Sequence, residues 1–135
     1  MRRLLFCFFV CIVSVTAYAA TKYQAELDKC DQIAPKDEEN ALSTVQMVQI
    51  VDEQKDCYKN VVHKIIDAEY AQNKQQMTSK FDKFTNISSE LTYSMQYPDS
   101  CAPNCGTISG LNAASSELEI IKTYVKQLLH IVSPE

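Results

Sequence analysis

The sequence predicts an all-α fold: a small bundle of three to four helices stapled by disulfides. Three observations predict it. Only 2 glycines occur in 135 residues, too few for the turn-rich β-sandwiches and barrels or for Gly-loop nucleotide folds. Between Lys36 and Tyr97 there is neither Gly nor Pro, and apolar residues recur there at spacings of three and four. Toward the C-terminus an a/d seam runs for about three heptads. The length suits one domain, and a charged fraction of 22% argues against intrinsic disorder.

Residues 1–19 read as a secretory signal peptide. Arg2 and Arg3 form a basic start, Leu4 to Val15 is apolar apart from Ser14, and Ala17-Tyr18-Ala19 supplies the small residues a signal peptidase accepts. The apolar run is shorter than the ~20 residues of a spanning helix. Residues 20–135 are then a single helical domain, expected to be secreted or periplasmic and to have no membrane attachment after cleavage.

Thr21 to Ile33 is the first helix, with Tyr23, Leu27, Cys30 and Ile33 on one face and Ala34-Pro35 as its stop. Asp37-Glu38-Glu39 places acidic charge where a second helix would begin. A first stripe follows: Met47, Ile50, Cys57, Val61, Ile65 and Ala68, widened by Val48, Val51, Tyr58, Val62 and Ile66. A second stripe holds Met77, Phe81, Phe84, Ile87, Leu91 and Met95. One helix through both would be about 90 Å long, too long for a globule of this size, so a bend is expected. The polar run Gln72-Asn73-Lys74-Gln75-Gln76 is the first choice for it and Thr85 to Ser89 the second. The pattern stops between Tyr97 and Gly110, where both glycines and two of the four prolines fall. The last helix carries Leu111, Ala114, Leu118, Ile121, Val125, Leu128 and Val132 at alternating spacings of three and four, with Ser116-x-x-Glu119 as a capping box for a later start.

Four cysteines lie outside the leader: Cys30, Cys57, Cys101 and Cys105. An even number in an exported chain implies disulfides. The preferred pairing is Cys30–Cys57 with Cys101–Cys105, the crossed pairings remaining open. A tight helical hairpin starting at Asp37 would set Cys30 beside Ala41 or Leu42. The preferred bridge therefore requires residues 34–40 to run extended along the second helix, a reach of about 23 Å.

Removing the leader takes both arginines, leaving 11 lysines against 17 acids, a net charge of −6. Without Arg forks or a basic surface, nucleic acid and anionic membrane are excluded as partners. Soft thiolates at Cys101-x-x-x-Cys105 would suit copper or zinc, but only His63 and His130 stand ready to complete such a site, so no metal or other cofactor is expected. His63 and Asp67 sit four apart and read as a surface pair. His130 reads as a boundary residue. Asp52, Glu53 and Asp56 beside Lys55 and Lys59 read as a solvated face. There is no nucleophile elbow, P-loop or dinucleotide fingerprint, so no catalytic residue is assigned and the protein is not expected to be an enzyme. The tyrosines at helical spacing read as the edge of the core. Asn86-Ile87-Ser88 is a glycosylation sequon, meaningful only in a eukaryotic secretory pathway.

Asp56-Cys57-Tyr58, with Asp67 and Tyr70 downstream and Cys101, Cys105, Gly106 and Thr107 before a last amphipathic helix, resembles the small exported helical proteins grouped with LprI-type lysozyme inhibitors. The similarity covers Asp56 to Leu129. Ala68-Glu69 stands where that family has Leu-Asn, and its aromatic and Arg-containing stretch after the second helix is missing. The resemblance implies non-catalytic binding of a lysozyme or a similar cationic secreted hydrolase, which an acidic chain would steer toward itself. The binding surface is then expected in the loop holding Tyr97, Asp99, Pro103, Asn104 and Gly106, preorganised by its disulfide. The competing expectation is an exported structural protein that self-associates through the Leu111–Val132 seam.

Overall fold

The structure, a computed structural model, describes residues 23–33, 42–97 and 106–132. Among the described residues four helices make up a small all-α bundle. Helix α1 covers residues 23–31, α2 Thr44–Glu69, α3 Lys74–Gln96 and α4 Thr107–Val132. No strand occurs among the described residues. Helix α4 packs along both α2 and α3, which meet each other over a shorter stretch. It is therefore buried on two sides, and its apolar seam lies inside the single chain: Ala114, Leu118, Ile121, Val125 and Leu128 are all buried.

Helix α1 runs antiparallel to α2. Tyr23 donates to Glu69 at 3.3 Å, Lys64 pairs with Glu26, Cys30 is bridged to Cys57 with Cα atoms 5.5 Å apart, and Gln54 donates to the Ile33 carbonyl at 2.8 Å. Successive contacts thus step down α2 as the chain steps up α1. The register sets Ile33 beside Gln54 while α2 begins ten residues earlier, about 15 Å away along the axis. The extended return expected over residues 34–40 lies outside the described residues.

Helix α2 does not begin at Asp37, because Leu42 and Ser43 are not helical. It starts at Thr44 with a capping box: the Gln46 N–H donates to Ser43 Oγ at 3.3 Å, and the Ser43 N–H donates to Gln46 Oε1 at 2.9 Å. Two otherwise unpaired backbone donors are satisfied there, which an acidic first turn alone does not achieve. Its buried residues, Tyr58, Val61, Val62, Ile65 and Ile66, all lie in the C-terminal half.

The bend falls at Tyr70 and the 3-10 turn Ala71–Asn73, overlapping the front of the expected polar run. Thr85 to Ser89, the second choice, is uninterrupted helix. Ser116 caps nothing, since α4 is already helical from Thr107.

The second stripe is only half buried. Phe81 is 2% exposed and Phe84 packs at the core's edge, yet Ile87, Leu91 and Met95 are 53%, 56% and 70% exposed. Thr85, Ser88 and Thr92 are buried instead. Phe81 sets the rotation: its ring stacks on Tyr124 at 5.2 Å and meets the edge of His63 at 5.4 Å. The buried row then continues at spacings of four, three and four, and Ile87 and Leu91 precede the buried Ser88 and Thr92 by a step of about 100° each. The two threonine hydroxyls tolerate burial because Thr85 donates to the Asp82 carbonyl at 2.9 Å and Thr92 to the Ser88 carbonyl at 3.0 Å.

Candidate functional site

Among the polar contacts that join the described helices, three centre on a tyrosine or a buried carboxylate, and an apolar row on α3 is left outside them. The first surrounds the disulfide. Tyr58 donates to Asp31 at 2.7 Å, and Lys122 of α4 pairs with the same carboxylate at 3.0 Å while standing 5.4 Å from the centre of the Tyr58 ring. The Tyr58 hydroxyl's hydrogen bond lowers the Asp31 pKa, with Lys122 adding to it against a smaller opposing effect of burial. Burial, then the bond to Asp31, raises Tyr58 well above a free tyrosine.

The second is a buried clasp between α2 and α4. Glu117 is 2% exposed, accepts from Lys55 at 2.8 Å and lies 3.7 Å from Lys59. Lys55 also reaches Asp52 at 2.8 Å. Burial lowers the Lys55 pKa, but its bonds to Asp52 and Glu117 more than offset this, and the net shift is upward. The supposed solvated face is therefore divided. Lys55 and Lys59 turn inward because α4 presents a carboxylate that the periodicity of α2 does not reveal; Glu53 and Asp56 stay exposed. The third arrangement is Tyr23 on Glu69; burial and then the Glu69 charge raise the Tyr23 pKa.

His63 and Asp67 do not pair. His63 Nε2 lies 3.5 Å from Asp82 of α3, and Asp67 is joined to Lys74 at 3.0 Å, so both span the bend between α2 and α3. His130 is exposed in the last turn of α4. Among the described residues no group of three or more His, Cys, Asp or Glu side chains could hold a metal ion. Nor is any helix among them long and apolar enough to cross a membrane.

Of the expected binding loop, Tyr97 and Gly106 are described; Asp99, Pro103 and Asn104 lie outside the described residues, as do Cys101 and Cys105. Tyr97 is a structural tie. Its ring stacks on Tyr93 at 5.6 Å, and a Cβ placed on Gly110 would stand 2.8 Å from its hydroxyl. The end of α3 thereby lies against the first turn of α4, where a Cβ at position 110 would have to push the Tyr97 hydroxyl aside. Gly106 is exposed just before α4. Asn86 is exposed on α3.

A hollow of about 530 Å³ lies beside the disulfide between α1 and α2, edged by Glu26, Lys29, Glu53, Asp56 and Lys64. Its charges are of both signs, so it carries no single field to concentrate an ion. An exposed apolar row lies on α3, where Ile87, Leu91 and Met95 recur at spacings of four. Position in the sequence already placed these three on one stripe; their exposure depends on how α3 is rotated. No protein-family model, curated protein or solved structure matches the chain.

Proposed function

We propose that this is a small exported binding protein that acts by occupying the surface of another protein and catalyses nothing. The observation that carries the reading is the exposed row Ile87, Leu91 and Met95 on a frame stapled by the Cys30–Cys57 bridge. An apolar row held open on a rigid helix is preorganised for association, because little conformational freedom remains to be lost on docking. The bridge suits an oxidising compartment, in keeping with the leader-like residues 1–19. The partner we favour is a cationic secreted protein such as a lysozyme. An acidic chain steers a cationic partner toward itself, and the resemblance around Cys57 points the same way.

Two measurements test this. The N-terminus of protein recovered from its native host should begin near Ala20. Lysozyme turnover should fall on adding the leaderless chain at micromolar concentration, with a dependence on ionic strength. Unchanged turnover at high micromolar concentration refutes the lysozyme reading, and an intact Met1 refutes export.

A further inference from the structure

We infer that the seam between α3 and α4 is a docking groove for an amphipathic helix bearing a lysine or arginine in the middle of its apolar face. The inference rests on the binding-protein reading and gives that reading a site. Two hollows follow one another along the seam. One, of about 370 Å³, is walled by Phe84, Tyr124 and Thr123; the other, of about 480 Å³, by Thr92, Met95 and Ser116. Glu119 and Ile120 line both and stand at their junction. The rings of Phe84 and Tyr124 stack 5.1 Å apart and close one end, while the exposed Leu91, seven residues after Phe84 and four before Met95, shares their stripe of α3. From Phe84 to Met95 the groove covers about 16 Å of α3, or three turns of a docked helix. Such a helix is read through anchors at i, i+3 or i+4, and i+7.

Charge decides the occupant. Among the residues lining the two hollows, Glu119 alone is ionisable as an acid or base at neutral pH. Its side chain is 72% exposed, and its contact with Lys122 is long, 3.8 Å, because Lys122 is drawn to Asp31 at 3.0 Å. A cation on the visiting helix would therefore meet a carboxylate at the centre of an otherwise uncharged footprint. A second copy of this chain fits less well. A two-fold axis through the middle of the groove would bring Glu119 of both copies together, and like charges opposed at an interface disfavour it.

The test uses two labelled fourteen-residue helical peptides, identical in an i, i+4, i+7, i+11 leucine row, one with Lys and one with Glu at the centre of that row. They are titrated by fluorescence anisotropy against the leaderless protein. The Lys peptide should bind one to one and more tightly than the Glu peptide. Leu91→Ser should weaken it by about tenfold, and Glu119→Lys should reverse the order of the two peptides. Both substitutions fall on exposed side chains, and a thermal melt checks that each variant is folded. Absence of saturable binding of the Lys peptide overturns the inference, as does binding indifferent to both substitutions. So does a concentration-dependent dimer in sedimentation that Leu91→Ser abolishes, since a second copy would then be the occupant. Lysozyme turnover measured on the same variants separates the two proposals. Inhibition that survives both substitutions upholds the lysozyme reading and removes the groove as its site; peptide binding without inhibition upholds the groove and removes lysozyme.

Discussion

Glu117 has 3% of its side chain exposed, and its two cations differ: Lys55 at 2.8 Å with 13% exposed, Lys59 at 3.7 Å with 28%. With an effective dielectric of about 20, those separations correspond to attractions of roughly 6 and 4.5 kcal/mol. Desolvation offsets much of both, so the net effect of deletion follows from what is left unpaired. Lys55→Met leaves Glu117 buried with only the more distant cation, which can move closer, and should cost about 3 kcal/mol, the lower end for breaking a buried pair. Glu117→Leu leaves Lys55 bonded to Asp52 and able to extend toward water, costing about 2 kcal/mol. Lys59→Met should cost under about 1 kcal/mol. The double variant Lys55→Met with Glu117→Leu replaces the pair by apolar groups of similar size and should lose only about 1 kcal/mol, a coupling of about 4 kcal/mol. Urea unfolding of the four proteins measures this cycle. Lys55→Met should also lower Tm by roughly 12 °C, at about 4 °C per kcal/mol for a domain of this size. A Lys55→Met variant within about 1 kcal/mol of the parent, or a double variant no more stable than the worse single, would refute the buried clasp.

Replacing Cys30 and Cys57 together by Ala should cost about 3.5 kcal/mol, from a loop with a sequence separation of 27, and amide exchange should rise first in residues 23–31. Exchange that rises uniformly along all four helices instead would show that the bridge does not act by holding α1. Alkaline pH should destabilise the protein. Burial and the bond to Asp31 raise Tyr58, burial and Glu69 raise Tyr23, and the bonds to Asp52 and Glu117 raise Lys55 against the effect of burial. The folded state then holds more protons than the unfolded one above about pH 10, so these contributions are complete below that pH and fade as it rises. Tyr58→Phe should flatten the fall in Tm between about pH 9 and pH 11, and an unchanged slope would contradict the assignment. Gly110→Ala should stabilise more in a Tyr97→Phe background than in the parent, by about 0.5 kcal/mol, because the hydroxyl that stands 2.8 Å from the new Cβ is then gone. Equal effects in the two backgrounds would mean that Tyr97 does not rest on α4.

The sequence by itself determined the helical class, the seam of α4 and a preferred partner for Cys30. These follow from information carried locally: spacings of three and four, scarce glycine, and an even cysteine count. Buried Ala114, Leu118, Ile121, Val125 and Leu128 repeat the periodicity because α4 has one dominant apolar face. On α3 two rows compete. Phe81, Thr85, Ser88 and Thr92 form one, and Phe84, Ile87, Leu91 and Met95 the other; hydropathy ranks the second higher. Only the tertiary structure chose the first for the interior. Phe81 seated between Tyr124 and His63 sets the rotation of the helix, and hydroxyls that bond to their own helix can follow it inside. The inward turn of Lys55 toward Glu117 was likewise decided there, as were the partners of His63 and Asp67. Residues on different helices meet through packing, and the spacing along one helix does not encode which charge its neighbour will present.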